Sequence, residues 1–135
     1  MRMVIAVVIA AAAAMVGVTA AGALTSGKTV GLKLNEFNVL PSKQAAPAGK
    51  VTFVVKNVGK VEHEFVVVKT AKPAGSLLSH DGSEASEAGN VGEISSVVAG
   101  QTKKLTLTLK KGHYALLCNL PGHYKAGQFI DFYVR

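Results

Sequence analysis

The chain has 135 residues, of which 49% are hydrophobic, and a formal net charge of +7 from 15 basic and 8 acidic side chains. That length suits one domain with a sizeable core. The basic residues are spread out, without an arginine-rich or aromatic-basic stripe, which argues against a nucleic-acid binder. Arg2 is the only charge before Lys28, so loss of residues 1–23 would leave 14 basic against 8 acidic residues, a net charge of +6. Such an excess suits an acidic protein partner or an anionic membrane surface.

Met1-Arg2 forms a short positive start, and Met3 to Val18 is a long apolar run. Ala21-Gly22-Ala23 then fits the small-x-small cleavage pattern of a secretory signal. Residues 1–23 are therefore expected to be a signal peptide. The alternative is a membrane anchor, since the uncharged run over residues 3–24 continues to Gly27 and is long enough to span a bilayer. Either reading sends the rest of the chain out of the cytoplasm, to the periplasm or the cell exterior.

The remainder alternates in the manner of strands divided by turn signals, with no helical period. Thr29 to Leu34 places Val30, Leu32 and Leu34 on one face, and Glu36 to Leu40 is expected to continue extended. Pro41 to Gly49 is a loop with two prolines. Lys50 to Lys56 alternates again, with Val51, Phe53 and Val55 inward. Asn57-Val58-Gly59-Lys60 is a turn, and Glu62 to Lys69 is a strand whose His63, Phe65 and Val67 share the inner face.

Residues 71–90 change character. They are rich in Ser, Gly, Ala and acids, and four of the chain's eight acids lie between Asp81 and Glu93. A solvated insertion is expected there, with one short helical turn near Ser76-Leu77-Leu78 and a surface histidine at His80. Val91 to Val98 reads as an edge-like strand. Gln101 to Lys110 alternates with Leu105, Leu107 and Leu109 inward, and Lys110-Lys111-Gly112 turns into the next strand. Seven or eight short strands at about this spacing predict an all-β fold, a two-sheet antiparallel sandwich.

The last part of the chain carries the chemistry. Tyr114 to Leu117 is apolar and leads to Cys118, the single cysteine. His123 follows Cys118 by five residues, Gln128 follows His123 by five, and Phe129 to Val134 is a second apolar run. Pro121-Gly122 sets the bend between them. An unpaired cysteine in an exported chain points to a reactive thiol or to intermolecular pairing. Alone it would be read as a small buried hydrophobe, and His63 alone as a buried, hydrogen-bonded histidine. Together, one thiolate, two imidazoles and a weaker fourth donor are the set a mononuclear copper electron-transfer centre needs. His63, Cys118, His123 and Gln128 are the candidate metal ligands. His113 precedes Cys118 by five residues, so strand parity puts it on the opposite face and excludes it.

An inward histidine preceded by Asn-x-Gly, then Cys-x4-His-x4-Gln near the C-terminus, resembles the cupredoxins, the blue copper proteins. The spacing is similar to that of rusticyanin, sulfocyanin and the plant stellacyanins. The resemblance spans residues 29–135 and implies a Greek-key barrel, one copper cycling between Cu(I) and Cu(II), and an electron-carrying role. It also implies that Gln128 is the axial ligand, as in the stellacyanins, where rusticyanin-like members have Met. In plastocyanin-like members Asn follows the first histidine and braces the site, whereas Glu64 stands there here.

Other site chemistries fit the residues less well. Zinc prefers four strong ligands. A dinuclear copper centre needs two cysteines, and a multicopper oxidase needs more than the four histidines present. A Cys118–His123 hydrolytic dyad would lie among the apolar Leu116, Leu117 and Leu120, with no polar groups to bind a substrate. A filled one-copper site leaves no position for substrate, so the expected role is electron transfer rather than catalysis. A copper trafficking or storage module that delivers copper to an oxidase is the alternative that ligand identity leaves open. A redox partner, by charge an acidic one, is expected to dock near Leu120, Pro121, His123 and Tyr124, with Lys125 beside them.

Overall fold

The computed structural model describes residues 28–135. The signal or anchor segment, and any membrane attachment through residues 3–24, lie outside the described residues. Among those described, no helix is long and apolar enough to cross a membrane.

Among the described residues, nine strands follow in order: β1 (Thr29–Asn35), β2 (Asn38–Pro41), β3 (Ala45–Ala46), β4 (Gly49–Asn57), β5 (His63–Lys69), β6 (Asn90–Val97), β7 (Thr102–Leu109), β8 (Gly112–Leu117) and β9 (Phe129–Val134). They form a four-stranded sheet, β2-β1-β4-β7, and a five-stranded sheet, β3-β9-β8-β5-β6. The sandwich is as expected, with one refinement. Most pairings are antiparallel, but β1 runs parallel to β4 and β3 runs parallel to β9. Both sheets are therefore mixed.

The alternation read from the sequence is the one that packs. Val30, Leu32, Leu34, Val51, Phe53 and Val55 of the first sheet meet Phe65, Val67, Tyr114, Leu116, Phe132 and Val134 of the second in one buried cluster. At its centre Phe53 packs against Phe65 and Phe132, with ring centroids 5.3 and 5.6 Å apart, within the range favoured by aromatic pairs. Removing these side chains from water is the main driving force for the fold.

Two expectations need correction. Glu36 to Leu40 is not continuously extended: Glu36 and Phe37 form a tight turn between β1 and β2. Residues 71–90 are not merely solvated. Ala74, Leu77 and Ala85 are buried against Val66, Val68, Ala115, Leu117 and Tyr124 on the outer face of the second sheet. The helical turn there is a 3-10 turn at Ala74–Ser76, slightly earlier than expected. The signal was in the strands. Val66-Val67-Val68 in β5 and Ala115-Leu116-Leu117 in β8 are unbroken apolar runs, the mark of strands covered on both faces.

Tyr124 anchors this second layer. Its hydroxyl donates to the Ala74 carbonyl at 2.6 Å and accepts the Leu77 N–H at 2.8 Å. Tyr124→Phe would leave both backbone groups unpaired in a buried place, at a cost of about 1–3 kcal/mol. Chemical denaturation should show that loss, with faster amide exchange over residues 74–77 and unchanged exchange in β4.

Candidate metal centre

Three donors converge at one end of the sandwich. His63 is the first residue of β5, and Cys118 follows the last residue of β8. Those two strands are neighbours in the second sheet, with Val66 opposite Leu117. Continued by one residue, that register sets Phe65 opposite Cys118, so His63, two residues further along β5, shares the face of the sulfur as its diagonal neighbour. The loop from Cys118 to Gln128 supplies the rest. Cys118 N–H donates to the Gln128 carbonyl at 3.0 Å, and Gln128 N–H donates to the His123 carbonyl at 3.2 Å. Gly122 and Gly127 take φ of 80° and 104°, left-handed values that a side chain would strain. The loop folds back on itself and turns the His123 ring inward.

The donor atoms lie close together. His123 Nδ1 is 3.4 Å from Cys118 Sγ and 3.3 Å from His63 Nδ1. His63 Nδ1 is 4.0 Å from Cys118 Sγ. Gln128 Nε2 lies 3.1 Å from His63 Nδ1 and donates to the carbonyls of Asn35 and Asn38 at 3.0 and 3.4 Å. His63, Cys118 and Gln128 are fully buried, and His123 keeps one edge exposed. The four residues singled out in the sequence are thus brought together. His113 is not among them. Its Nδ1 faces the Thr70 carbonyl and its Nε2 the Asp131 carboxylate, each as a hydrogen bond, and His80 is exposed.

The surroundings favour a metal-binding set. Burial, followed by the nearby His63, keeps the His123 imidazole below its ordinary pKa and so neutral, the form that binds metal. Burial pushes the Cys118 thiol up, while the backbone N–H of Glu64, 3.2 Å from the sulfur, stabilises the thiolate. A bound cation would offset the remaining cost of a buried thiolate. The amide oxygen of Gln128 is buried with no hydrogen-bond partner. An unpaired buried acceptor is costly, and a neighbouring cation would relieve it. One soft thiolate, two imidazoles and an amide oxygen fit copper better than zinc or magnesium.

Three residues that local sequence reasoning did not single out shape this site. Glu36 Oε1 lies 3.2 Å from His63 Nε2 and accepts the Lys60 and Val61 N–H groups at 2.8 and 3.0 Å. The Val61 N–H, with help from Lys60 and His63, brings its carboxyl down to about 2. Phe37 stands edge-on to His123, with centroids 5.0 Å apart. Asn119 braces the cysteine side. It accepts the Ala85 N–H at 2.7 Å and donates to the Ala85 carbonyl and the Glu87 carboxylate. No periodic pattern marks Glu36 or Phe37, because both sit in a turn far in sequence from the four converging donors. Asn57, of the Asn-x-Gly turn, is buried. It donates to the Val61 and Val97 carbonyls and accepts the Gly59 N–H, which fixes the chain entering β5.

Glu64 does reach the cysteine side of the site, because its carboxyl accepts the backbone N–H of Asn119, the residue after Cys118. Its carboxyl is pushed up to about 7 by burial and by Glu87 and Glu93. The expected apolar rim around His123 is also revised. Leu120, Pro121 and Gly122 are partly or fully exposed, but Tyr124 is only 2% exposed. Its ring is held inward by the second hydrophobic layer, so it does not belong to the surface near His123. Phe37, 39% exposed, takes that place.

Comparison with known proteins agrees with this fold. The family described as "Cupredoxin-like domain" matches residues 6–130. None of the curated proteins matches the sequence significantly. Among solved structures, the dithionite-reduced auracyanin of the photosynthetic bacterium Roseiflexus castenholzii superposes with a TM-score of 0.62 at 21% identity, over 80% of this chain and 97% of that one. Rusticyanin from Thiobacillus ferrooxidans gives 0.59 at 20% identity, over 81% and 79%. Auracyanin A, a "blue" copper protein of Chloroflexus aurantiacus, gives 0.54 at 23% identity, over 79% and 99%. At these identities the likeness speaks for the fold.

Proposed function

Since this chain belongs to the cupredoxin-like domain family, we propose that it is a mononuclear blue copper protein carrying single electrons between redox partners outside the cytoplasm. The observation that carries the reading is the approach of His63 Nδ1, His123 Nδ1 and Cys118 Sγ to within 4.0 Å of one another, with Gln128 against them. His63, Cys118, His123 and Gln128 would hold the metal, the first three as its strong donors and Gln128 as the weaker fourth. The copper, when bound, supplies a one-electron Cu(I)/Cu(II) couple.

The protein's own contribution is rigidity and exclusion of water. The buried donors are held by strand ends and by a loop tied to itself through backbone hydrogen bonds. A site that cannot rearrange suits electron exchange, because a donor set held fixed by packing limits the reorganisation that each change of charge demands. Burial of His63, Cys118 and Gln128, with His123 alone reaching the surface, favours retention of copper over its delivery to another protein. The residues 1–23, read as an export signal, support a location in the periplasm or outside the cell.

Electrons are proposed to pass at the His123 edge. Leu120, Pro121 and Phe37 form a small apolar surface there, and transient redox contacts are small. Lys125 is exposed close by, and the domain's positive charge would steer an acidic partner.

Three measurements test this reading. The Cu(II) protein should absorb intensely in the visible through its thiolate, and Cys118→Ser should abolish the colour; a Cys118→Ser protein that stays coloured would sink the assignment. Gln128→Met replaces a hard oxygen donor by a thioether that favours Cu(I), so voltammetry should show a raised reduction potential. An unchanged or lowered potential would remove Gln128 from the ligand set. Leu120→Asp puts a charge on the rim without touching a ligand. Electron exchange with an anionic iron complex should slow at least several-fold at low salt while the visible spectrum stays the same, and unchanged kinetics would place the electron path elsewhere.

A further inference from the structure

The turn between β1 and β2 touches three of the four donors. The Asn35 and Asn38 carbonyls accept from Gln128 Nε2, Glu36 meets His63, and Phe37 stands against His123. Within this turn we propose that Glu36 is a positioning residue: its carboxylate fixes the tautomer and orientation of His63 and strengthens it as a metal ligand. The proposal rests on the copper reading above.

The two nitrogens of His63 face different worlds. Nδ1 points into the donor cluster, near His123 Nδ1, Cys118 Sγ and Gln128 Nε2. Nε2 points out of it, to Glu36 Oε1 at 3.2 Å. That oxygen already accepts two backbone N–H groups, from Lys60 and Val61. A carboxylate held this way accepts and does not donate. The proton of a neutral His63 therefore sits on Nε2, and the Nδ1 lone pair faces the cluster, ready for a metal. A histidine whose second nitrogen donates to a carboxylate is a better metal ligand, and losing such a partner typically costs about 10–100-fold in metal affinity.

The position is built rather than incidental. His63 is fully buried, while Glu36 reaches it from a side chain that is 31% exposed. Gly59 makes room, since a Cβ there would collide with the Glu36 carboxylate. The contact spans 27 positions in sequence. Because Glu36 also anchors the backbone at Lys60 and Val61, its role as a loop anchor must be separated from its action on the imidazole.

Two substitutions make that separation. Glu36→Gln keeps a carbonyl oxygen that can accept the same three donors but removes the charge, and Glu36→Ala removes the acceptor. The tautomer is read first in the copper-free protein, by nitrogen–proton correlation spectra of the imidazoles. The wild type and Glu36→Gln should show His63 protonated at Nε2 alone, and Glu36→Ala should lose that single form. Titration with Cu(II) should show at least a tenfold loss of affinity for Glu36→Ala and a smaller one for Glu36→Gln. Glu36→Gln should also shift the midpoint potential upward, because a negative charge behind the ligand favours Cu(II). The proposal is overturned if Glu36→Ala keeps His63 protonated at Nε2 alone, or if both variants bind Cu(II) within twofold of wild type. Equal affinity losses with no potential shift in Glu36→Gln would reduce Glu36 to a loop anchor and overturn it too. Should Glu36→Ala fail to fold, the potential and affinity of Glu36→Gln decide alone. Failure of the wild type to develop thiolate colour would defeat the copper reading, while the copper-free spectra would still report on Glu36.

Discussion

Everything at this site depends on the hydrogen bond from Cys118 N–H to the Gln128 carbonyl, which closes the loop carrying His123 at its base. It holds the end of β8 against the start of β9, so Cys118 and Gln128 face each other across the mouth of the loop. Within that closure His123 has little choice of position, because its own backbone bonds Leu120 and Gln128. His63 reaches the sulfur as its diagonal neighbour across the β5–β8 pair, on the face it shares with Phe65. Rigid delivery of the donors therefore follows from ordinary sheet pairing and one short loop.

Two shells keep that arrangement dry and taut. On the inner side, the packed core of the sandwich lies directly below His63 through Phe65 and Val67. On the outer side, residues 74–85 and Tyr124 cover Val66, Val68, Ala115 and Leu117. Asn119 ties this outer layer to the residue after the cysteine. The 71–90 segment is thus part of the support of the centre, even though much of its surface is polar. In such surroundings a thiol resists ionisation, and a metal ion compensates for its charge in a way that solvent does not.

Within this basic domain, carboxyl groups lie close to the centre. Glu36 stands behind His63, and Glu64 lies beside it with Glu87 and Glu93. Carboxylates around a metal centre stabilise its more positive state. The spread lysines shape the field at a distance, where it steers an encounter rather than tunes the site. The two charge patterns serve separate physical ends within one small domain.

The sequence by itself determined a good deal. Period-two alternation in residues 29–34, 50–56 and 101–110 identified the strands and their inner faces, because a strand's side chains must alternate. Cys118, His123 and Gln128 were legible because they lie in one loop, where spacing alone constrains approach. His63 was legible because strand parity put it on the face of Phe65 and Val67. Tertiary structure decided the rest. The parallel pairings of β1 with β4 and β3 with β9 have no local signature, since pairing is a relation between distant segments. Tyr124 lies in the loop yet turns inward, because a hydrophobic layer from residues 74–85 receives its ring and its hydroxyl. Glu36, Phe37 and Asn119 act on the site only through contacts between segments distant in sequence. Local pattern records which face of its own strand a residue occupies, whereas the partner across that face is chosen only when the sheets pack.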